Sequence, residues 1–271
     1  MKVRLIAAAV LLPLLLIIVL LLPTVVTTVV CGLAAAVAAY ELLRGTGLVK
    51  NTRMVIYTAL MAFLVPLWCH FGMVYSTAVL AILLFTALLF MELLISRGKL
   101  PVGELAVCYI GGIVLPMLLS SLVRLQGLGY GRFYVLLPFL IAFTADSGAY
   151  FAGRYLGKHK LAPIISPNKT IEGVIGGVAG AVIGMLIYCV VLDLGFKFTA
   201  NYMFAVSYGI VGSLAAVFGD LSFSAIKRQS GIKDYGNLIP GHGGILDRFD
   251  SLLIVAPLTE VLLTFLPVVM K

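Results

Sequence analysis

Charged side chains are scarce in this chain of 271 residues, since Asp, Glu, Lys and Arg make up only 11% of it. Soluble domains carry roughly 25% of these residues. The hydrophobic content of 62% and the mean hydropathy of +1.15 lie correspondingly high. No stretch between the apolar runs is long enough for a soluble domain of useful size. The composition therefore indicates an integral membrane protein.

Two kinds of binding protein are disfavoured by what is missing. The four cysteines each stand alone in an apolar run, without a Cys-x-x-Cys pair or a histidine at ligand spacing. That pattern suggests neither a zinc site nor a disulfide framework. The net charge of +8 comes from basic residues dispersed among short loops, with little aromatic interleaving. Such dispersal does not indicate a nucleic-acid surface.

Apolar runs long enough to cross a bilayer, about 20 residues each, recur along the whole chain. Because a lipid-embedded backbone must satisfy its own hydrogen bonds, we expect an all-α polytopic protein forming a single integral membrane domain, 1–271. Its N-terminal helices, 1–123, would serve as a scaffold or dimer part, and 133–267 would carry the active site. The nine expected spans are 5–22, 24–43, 54–72, 74–96, 101–123, 133–153, 171–194, 202–225 and 246–267.

The first run could also be read as a signal peptide. Pro23, however, leads directly into a second apolar run, so we interpret 5–22 as a transmembrane helix. Nine spans divide the Lys and Arg residues 15 to 4 between the two sides of the membrane. Cytoplasmic loops carry the excess of positive charge in membrane proteins. The N-terminus and residues 224–250 are therefore expected in the cytoplasm, and the C-terminus outside.

The segment 224–250 holds the densest cluster of charge and glycine. One charge at the centre of a bilayer costs at least about 3 kcal/mol, so these residues are expected to serve a function. Asp220 and Ser224 precede Lys227 and Arg228 at helical spacing, which predicts a polar helix face. A flexible loop follows at Pro240-Gly241-His242-Gly243-Gly244, where exposed amides can approach phosphate oxygens. Loop hydrogen bonding is the alternative interpretation of His242.

Asp247 and Asp250 follow this loop, one helical turn apart. Carboxylates from two helices are typical ligands of Mg²⁺, which completes its shell with water and substrate phosphates. We therefore predict Mg²⁺ at Asp220 and Asp247, with Asp250 and Asp146 in a supporting or second-ion shell. Helix capping is the alternative for Asp250. For Asp146 the alternative is a buried ion pair.

The segment 166–173 adds a second phosphate candidate. Thr170 is placed to cap the helix that follows, and Lys169 stands at the same end. Helix N-termini present free amides to anions, although an ordinary cap explains the pattern equally well. The glycines of 171–194 occur in small-xxx-small pairs, which predict close helix packing. Glu41 and Glu92 are expected at the membrane interface, without a catalytic role.

These segments resemble the phosphatidate cytidylyltransferase (CDP-diacylglycerol synthase) family. The family signature runs from Ser224 through Lys227-Arg228, Lys233-Asp234 and the His-Gly-Gly loop to Asp247-Arg248-x-Asp250. The segments 146–151 and 166–173 are also similar, with Asn168 standing where relatives often have lysine. The resemblance is strongest over 140–255.

The resemblance implies transfer of a cytidylyl group from CTP to phosphatidic acid by a magnesium-dependent enzyme of the bacterial inner membrane that forms a homodimer. It implies an active site facing the cytoplasm, a second, monovalent ion, and no nucleic-acid partner. The catalytic candidates are Asp220, Asp247, Asp250, Lys227 and Arg228. The substrate-binding candidates are Lys233, His242, Gly243, Gly244, Arg248, Ser166, Asn168, Lys169, Thr170, Ser224 and Asp234. The metal candidates are Asp220, Asp247 and Asp146.

Two rival functions follow from the same residues. A transporter for a phosphorylated anion would also place charges in the membrane, but it predicts polar residues on the outer side and internal repeats. A lipid kinase, or a transferase with another nucleotide, would use the same phosphate chemistry. No spacing in the sequence names cytosine, so the choice of nucleotide depends on the resemblance alone.

Overall fold

A computed structural model describes residues 13–72, 75–239, 241 and 243–270. His242 and Pro240 of the predicted loop lie outside the described residues. The chain divides into two compact units, and the first contains 1–132 together with 227–249. The second contains 133–226 and 250–271. The charged segment 224–250, called the signature segment below, thus belongs mainly to the unit that is built from the N-terminal helices. No local sequence pattern indicates this association.

The first unit is made of helices, two of which contain π-helical segments. Residues 13–20 are helical and are called α1. The elements that follow are α2 Thr24–Tyr40, π1 Glu41–Gly45, α3 Thr52–Phe71, α4 Tyr75–Ile95, α5 Val102–Tyr109, π2 Ile110–Val114, α6 Leu115–Leu119, α7 Ser121–Gln126 and α8 Gly131–Tyr134, which reaches the boundary of the unit. The short helix α12, Leu246–Phe249, returns to this unit.

Small residues allow the helices of the first unit to pack closely. A Cβ on Gly32 of α2 would lie 3.0 Å from the Phe63 ring of α3. Gly111 and Gly112 occupy π2, and a Cβ on Gly112 would lie 2.9 Å from the ring of Phe85. The start of α3 is fixed by Asn51, whose side chain accepts a hydrogen bond from the Arg53 amide. Leu43, Met54, Leu89, Leu119 and Leu125 are fully buried in this unit.

The second unit combines long helices with two small antiparallel sheets. Its elements are α9 Leu136–Tyr155, β1 Lys160–Ala162, β2 Ser166–Thr170, α10 Ile171–Phe196, β3 Thr199–Ala200, α11 Tyr202–Gln229, α13 Leu252–Phe265 and β4 Val269–Met270. The last residues of α11 already belong to the first unit. Strand β1 pairs with β2, and β3 pairs with β4. The β1–β2 hairpin, which the sequence did not lead us to expect, delivers the chain to the start of α10.

Helices α9 and α10 pack along the glycines of α10, as the small-xxx-small pattern predicted. A Cβ on Gly180 would lie 2.6 Å from the Thr144 carbonyl oxygen, and one on Gly177 would lie 3.1 Å from that of Ala145. Gly173 meets the Ala149 carbonyl oxygen at 3.1 Å in the same way. Without side chains at these positions the two backbones can approach each other, so the predicted role in helix packing is confirmed.

Seven helical segments among the described residues are long and apolar enough to cross a membrane. They are Thr24–Gly45, Thr52–Phe71, Ser76–Ile95, Val102–Gln126, Gly131–Tyr155, Ile171–Phe196 and Tyr202–Gln229. These correspond to the second through eighth predicted spans. The chain is therefore an all-α, multi-pass membrane protein. Residues 5–12 of the first predicted span lie outside the described residues, and 13–20 are helical.

The ninth predicted span, 246–267, is not one continuous helix. It is divided into α12 and α13 by a turn at Asp250 and Ser251. The Asp250 carboxylate accepts a hydrogen bond from the Ser251 amide at 2.7 Å. A short aspartate side chain that bonds locally to the backbone competes with helical hydrogen bonding, which explains the interruption. Asp250 is thus part of the turn rather than of a regular helix.

Candidate functional site

In the second unit, the candidate residues gather at the beginning of α10. Thr170 is its N-cap, and the hydroxyl accepts a hydrogen bond from the Gly173 amide at 3.0 Å. The preceding residue, Lys169, extends its ammonium group to the Asp220 carboxylate of α11, with 2.5 Å between Nζ and Oδ2. Ser224 donates a hydrogen bond to Asp220 Oδ1 at 3.1 Å. The structure therefore brings together Lys169, Asp220 and Ser224 from two of the predicted segments.

Lys169 and Asp220 are partly exposed, so each can exchange the other for a ligand. The side chains of Lys169 and Asp220 are 25% and 32% exposed, respectively. Ion pairs that retain contact with solvent contribute little to stability. A phosphate could replace the carboxylate as the partner of Lys169, and a hard cation could replace the ammonium as the partner of Asp220. The pair thus offers one position for an anion and one for a cation.

Next to this cluster lies a hydrogen-bond network around Glu172 that was not predicted from the sequence. Glu172, in the first turn of α10, accepts hydrogen bonds from the amides of Lys158 and His159. His159 Nδ1 lies 2.6 Å from Glu172 Oε1. These bonds attach the segment after α9 to the start of α10. An acidic residue in a first helical turn is a sequence signal, but its partners 13 and 14 residues away could not be read from the sequence.

The other candidates of the second unit lie in different environments. Asp146 and Asn168 are exposed, Ser166 is half-buried, and Asp250 is buried in its turn. The carboxylate of Asp250 accepts the Ser251 amide, as described above. The expected roles of these four residues stay predictions.

In the first unit, Asp247 of α12 is the centre of a buried network. Its Oδ1 accepts a hydrogen bond from Lys227 Nζ at 2.7 Å. Its Oδ2 accepts two more, from the amides of Tyr235 at 2.8 Å and Gly244 at 3.0 Å. The Asp247 side chain is only 1% exposed and that of Lys227 is 9% exposed. Both oxygens of this carboxylate are therefore occupied by protein donors.

Tyr235 completes the environment of the buried lysine. The ammonium of Lys227 lies 5.4 Å from the centre of the Tyr235 ring, and Tyr235 is itself buried. A cation over an aromatic face is stabilised by the ring quadrupole, more strongly where water is excluded. Lys227 is consequently held by a carboxylate and by a ring, and Tyr235 contributes both its backbone amide and its ring to the network. No pattern in the sequence had indicated a role for Tyr235.

The loop before α12 requires glycine at defined positions. Gly241 and Gly243 have φ of 76° and 85°, a backbone conformation that favours glycine. Gly243 also passes close to the site, since a Cβ there would lie 2.9 Å from Asp247 Oδ2. An antiparallel bridge between Ile239 and Gly243 closes the loop. Gly243 and Gly244 of the predicted glycine loop therefore lie directly against Asp247.

The remaining signature residues line the surface of the first unit. Arg228, Lys233, Asp234 and Arg248 are all exposed. Arg228 donates a hydrogen bond to the Ile232 carbonyl oxygen at 3.1 Å. Exposed cations of this kind are available to anionic substrates. The predicted role of His242 concerns a residue outside the described part of the chain.

A buried acidic residue from the N-terminal helices also reaches this segment. Glu41, the first residue of π1, is only 4% exposed. It accepts hydrogen bonds from the amides of Ile245 and Leu246. The sequence predicted an interfacial position without a catalytic role, and it could not show this contact because 204 residues separate Glu41 from its first partner. The structure places Glu41 against the signature segment.

The residues present can be tested for their fit to a magnesium ion. Asp220 fits, because its carboxylate is partly exposed and supplies the hard oxygen donors that Mg²⁺ prefers. Asp247 fits less well, because its side chain is only 1% exposed and the Lys227 ammonium already occupies the position of a cation at Oδ1. The described residues contain no group of three or more His, Cys, Asp or Glu side chains arranged to hold a metal. Substrate oxygens and water would therefore have to supply much of the coordination shell.

Comparison with known proteins connects these residues to a family. The model of the cytidylyltransferase family matches residues 2–266, nearly the whole chain. The chain belongs to this family. The family resemblance of the signature residues is thereby confirmed.

Curated relatives align with about half of the length of this chain. The protein named phosphatidate cytidylyltransferase from Staphylococcus haemolyticus (strain JCSC1435) is 47% identical over 133 residues, which cover 49% of this chain and 50% of the relative. Proteins of the same name from Staphylococcus saprophyticus subsp. saprophyticus and Staphylococcus aureus (strain COL) are 44% and 47% identical, with the same coverage. The chain spans about half the length of the curated relatives it matches.

Proposed function

We propose that this protein is a phosphatidate cytidylyltransferase, which forms CDP-diacylglycerol and pyrophosphate from CTP and phosphatidic acid. The observation that carries the proposal is the match to curated relatives of that name at 44–47% identity over 133 residues. The two lysine–aspartate clusters agree with it, since phosphoryl-type transfer needs fixed cations and carboxylates more than covalent chemistry. The lipid substrate suits an enzyme embedded in the bilayer.

The reaction requires one bond to form and one to break. An oxygen of the phosphatidate phosphate attacks the α-phosphorus of CTP, and the bond from that phosphorus to the bridging oxygen of pyrophosphate breaks. Phosphatidate is already ionised near neutral pH, so no strong general base is needed. Lys169 would bind a substrate phosphate in place of Asp220, close to the capped start of α10. The exposed Arg228, Lys233 and Arg248 would attract the remaining phosphate charge.

Asp220 is the carboxylate that we propose as the principal ligand of Mg²⁺. When bound, the ion would neutralise charge on the phosphates of CTP. A metal role for Asp247, and places for Asp250 and Asp146 in a supporting or second-ion shell, stay proposals. The second, monovalent ion is a proposal from the family resemblance. Lys227 and the Gly244 amide hold Asp247 in a defined position, so a cation bound at Asp247 would have to displace Lys227.

The membrane topology that we propose has nine spans, with the N-terminus in the cytoplasm and the C-terminus outside. The seven apolar helices are joined in this proposal by the first apolar run, helical at 13–20, and by α13. The 15 to 4 distribution of Lys and Arg supports the orientation. We further propose a bacterial inner-membrane location, an active site facing the cytoplasm, and a homodimer. Light scattering of the detergent-solubilised protein, corrected for bound detergent, tests the dimer.

A double-label assay tests the function and separates it from the kinase alternative. Purified protein in detergent is given Mg²⁺, phosphatidic acid and CTP labelled at either the α- or the γ-phosphorus. Cytidylyl transfer places the α-label in the lipid fraction and leaves the γ-label in pyrophosphate. A CTP-dependent lipid kinase would do the opposite and transfer only the γ-label. Absence of label in lipid from either nucleotide, with protein that melts cooperatively, would contradict the proposal.

A further inference from the structure

We propose that Glu41 is a positioning residue that holds residues 244–247 of the signature segment in place for the reaction. The inference builds on the proposed function, which assigns that segment to the active site. Glu41 Oε1 accepts a hydrogen bond from the Ile245 amide at 3.0 Å, and Oε2 accepts one from the Leu246 amide at 2.8 Å. One carboxylate thus binds two consecutive amides immediately before Asp247.

The surroundings of Glu41 are shaped to admit this carboxylate. A Cβ on Gly236 would lie 2.5 Å from Glu41 Oε1, and a Cβ on Gly244 would overlap both Glu41 oxygens. On the other side, Gly45 at the end of π1 lies against the Tyr235 carbonyl oxygen, again without room for a side chain. Three glycines therefore permit π1 to dock on the signature segment. A carboxylate that served only to cap a surface helix would not require them.

The same segment is held from a second direction. The Gly244 amide donates to Asp247 Oδ2, while the amides of Ile245 and Leu246 donate to Glu41. Three consecutive amides are consequently distributed between two buried carboxylates. Because Asp247 also binds Lys227, a shift of 244–246 would move both members of the buried ion pair. Glu41 acts on the reaction through this geometry and needs no contact with substrate.

The π-helical turn supplies the remaining reason to expect a functional role. Glu41 begins the five-residue segment π1 directly after α2, and such π-helical turns are frequent at functional sites. Continuation of α2 as a regular α-helix would rotate the side chains that follow by a fraction of a turn. The local widening therefore sets the direction in which this end of the helix presents its polar group.

Substitution Glu41→Gln tests the proposal with minimal change in volume. The amide side chain keeps one oxygen acceptor but turns an NH₂ group toward the second backbone amide, which then loses its acceptor. Loss of exact positioning should lower kcat on the order of 10-fold to 100-fold, because misplacement by about 1 Å can cost 100-fold. The KM for CTP should change much less. Hydrogen–deuterium exchange of a peptide covering 243–249 should accelerate.

Glu92→Gln provides the matched control. Glu92 is also a buried glutamate of the first unit, but it binds Asn51 Nδ2 at 2.9 Å and Arg53 at 3.3 Å, away from the signature segment. Its substitution should leave kcat and the exchange of 243–249 close to wild type, whatever it does to the melting temperature. Equal losses of kcat in the two variants, or unchanged exchange in Glu41→Gln, would overturn the proposal.

A second pair of variants decides the matter if Glu41→Gln does not accumulate. Gly236→Ala introduces a methyl group against the Glu41 carboxylate and should lower kcat. Glu41→Asp withdraws the carboxylate by one methylene, so the double variant should recover part of the activity that Gly236→Ala loses. Purely additive losses would contradict the proposal. Should the wild-type protein show no cytidylyl transfer, the proposed function fails, whereas the exchange of 243–249 still tests Glu41 independently.

Discussion

Each unit of the molecule contains a lysine–aspartate pair from the predicted site, and the two pairs are built differently. The side chains of Asp247 and Lys227 in the first unit are 1% and 9% exposed, and two backbone amides also donate hydrogen bonds to the carboxylate. The side chains of Asp220 and Lys169 in the second unit are 32% and 25% exposed, and the Ser224 hydroxyl donates a hydrogen bond to Asp220. The same two residue types thus form a sealed network in one unit and an accessible pair in the other.

This difference indicates a division of roles. Breaking a buried pair leaves an uncompensated charge and is strongly destabilising, so the sealed pair must contribute to the folded geometry of the signature segment. An exposed pair can separate at little cost, so its members are free to take substrate or metal. We therefore expect the first pair to respond to substitution in stability and activity together, and the second pair in activity alone.

The largest effect is expected for Lys227→Met. It removes the cation while retaining a long side chain, and the buried Asp247 carboxylate is left without its charge partner. The free energy of unfolding should fall by about 3–5 kcal/mol, which thermal melting of the purified protein and its abundance in membranes would report. The double variant Lys227→Met with Asp247→Asn should regain most of that loss, because asparagine still accepts from the Tyr235 and Gly244 amides. If Lys227→Met alone is as stable as wild type, the proposed difference between the two pairs is contradicted.

Asp220→Asn should reduce turnover without a comparable loss of protein. Removal of a group that stabilises charge in the transition state costs on the order of 100-fold or more in kcat. The measurement is incorporation of α-labelled CTP into lipid at saturating Mg²⁺ and phosphatidic acid. Ser224→Ala serves as the control, since it removes only the hydroxyl that donates to Asp220, and its loss of activity should be smaller. Full activity of Asp220→Asn would reject this residue as the proposed metal ligand.

A packing substitution tests whether the second unit is closely packed at the contact of α9 with α10, although its Lys169–Asp220 pair is partly exposed. Gly176→Ala places a methyl group against Ala152 and the Gly148 carbonyl oxygen at the contact of α9 with α10. Overpacking of this kind costs about 1–3 kcal/mol, measurable as a lower melting temperature. Gly195→Ala on the same helix is the control, because no atom lies within 4 Å of its added Cβ. Equal melting temperatures for the two variants would contradict the close helix packing.

The smallest effect on stability is expected for Lys169→Gln. Because the pair with Asp220 is partly exposed, the free energy of unfolding should change by no more than about 1 kcal/mol. If Lys169 binds a substrate phosphate, the KM for CTP or for phosphatidic acid should nevertheless rise, and titration of each substrate shows which phosphate it serves. A large fall in melting temperature would mean that this pair, too, is part of the fold.

Much of the helical architecture could be predicted from the sequence because lipid imposes a simple rule on apolar runs. Seven predicted spans have matching helices, and the glycines of α10 form the expected helix contact. The ninth span was wrong as a continuous helix, because the local bond of Asp250 to the backbone is not visible in hydropathy. The hairpin β1–β2 was missed because it is short and lies between two helices.

At the candidate site, the sequence identified residue types that carry charge but not their partners. It placed Asp220 with Lys227 on one helix face, whereas the ammonium that contacts Asp220 in the second unit belongs to Lys169. The contact of Glu41 with the signature segment and the part played by Tyr235 were not predicted, because they depend on distant backbone amides and on a buried lysine. Backbone amide donors occur at nearly every position, so no residue pattern shows which of them a distant carboxylate will bind.

The proposed division of roles is tested most directly by the melting temperatures of Asp220→Asn and Asp247→Asn, measured side by side on detergent-purified protein. Asp247→Asn leaves Lys227 buried without its anionic partner and should melt well below wild type, whereas Asp220→Asn should melt close to wild type. Equal melting temperatures for the two variants, or a larger decrease for Asp220→Asn, would contradict the conclusion that one carboxylate maintains the fold and the other is free for substrate or metal.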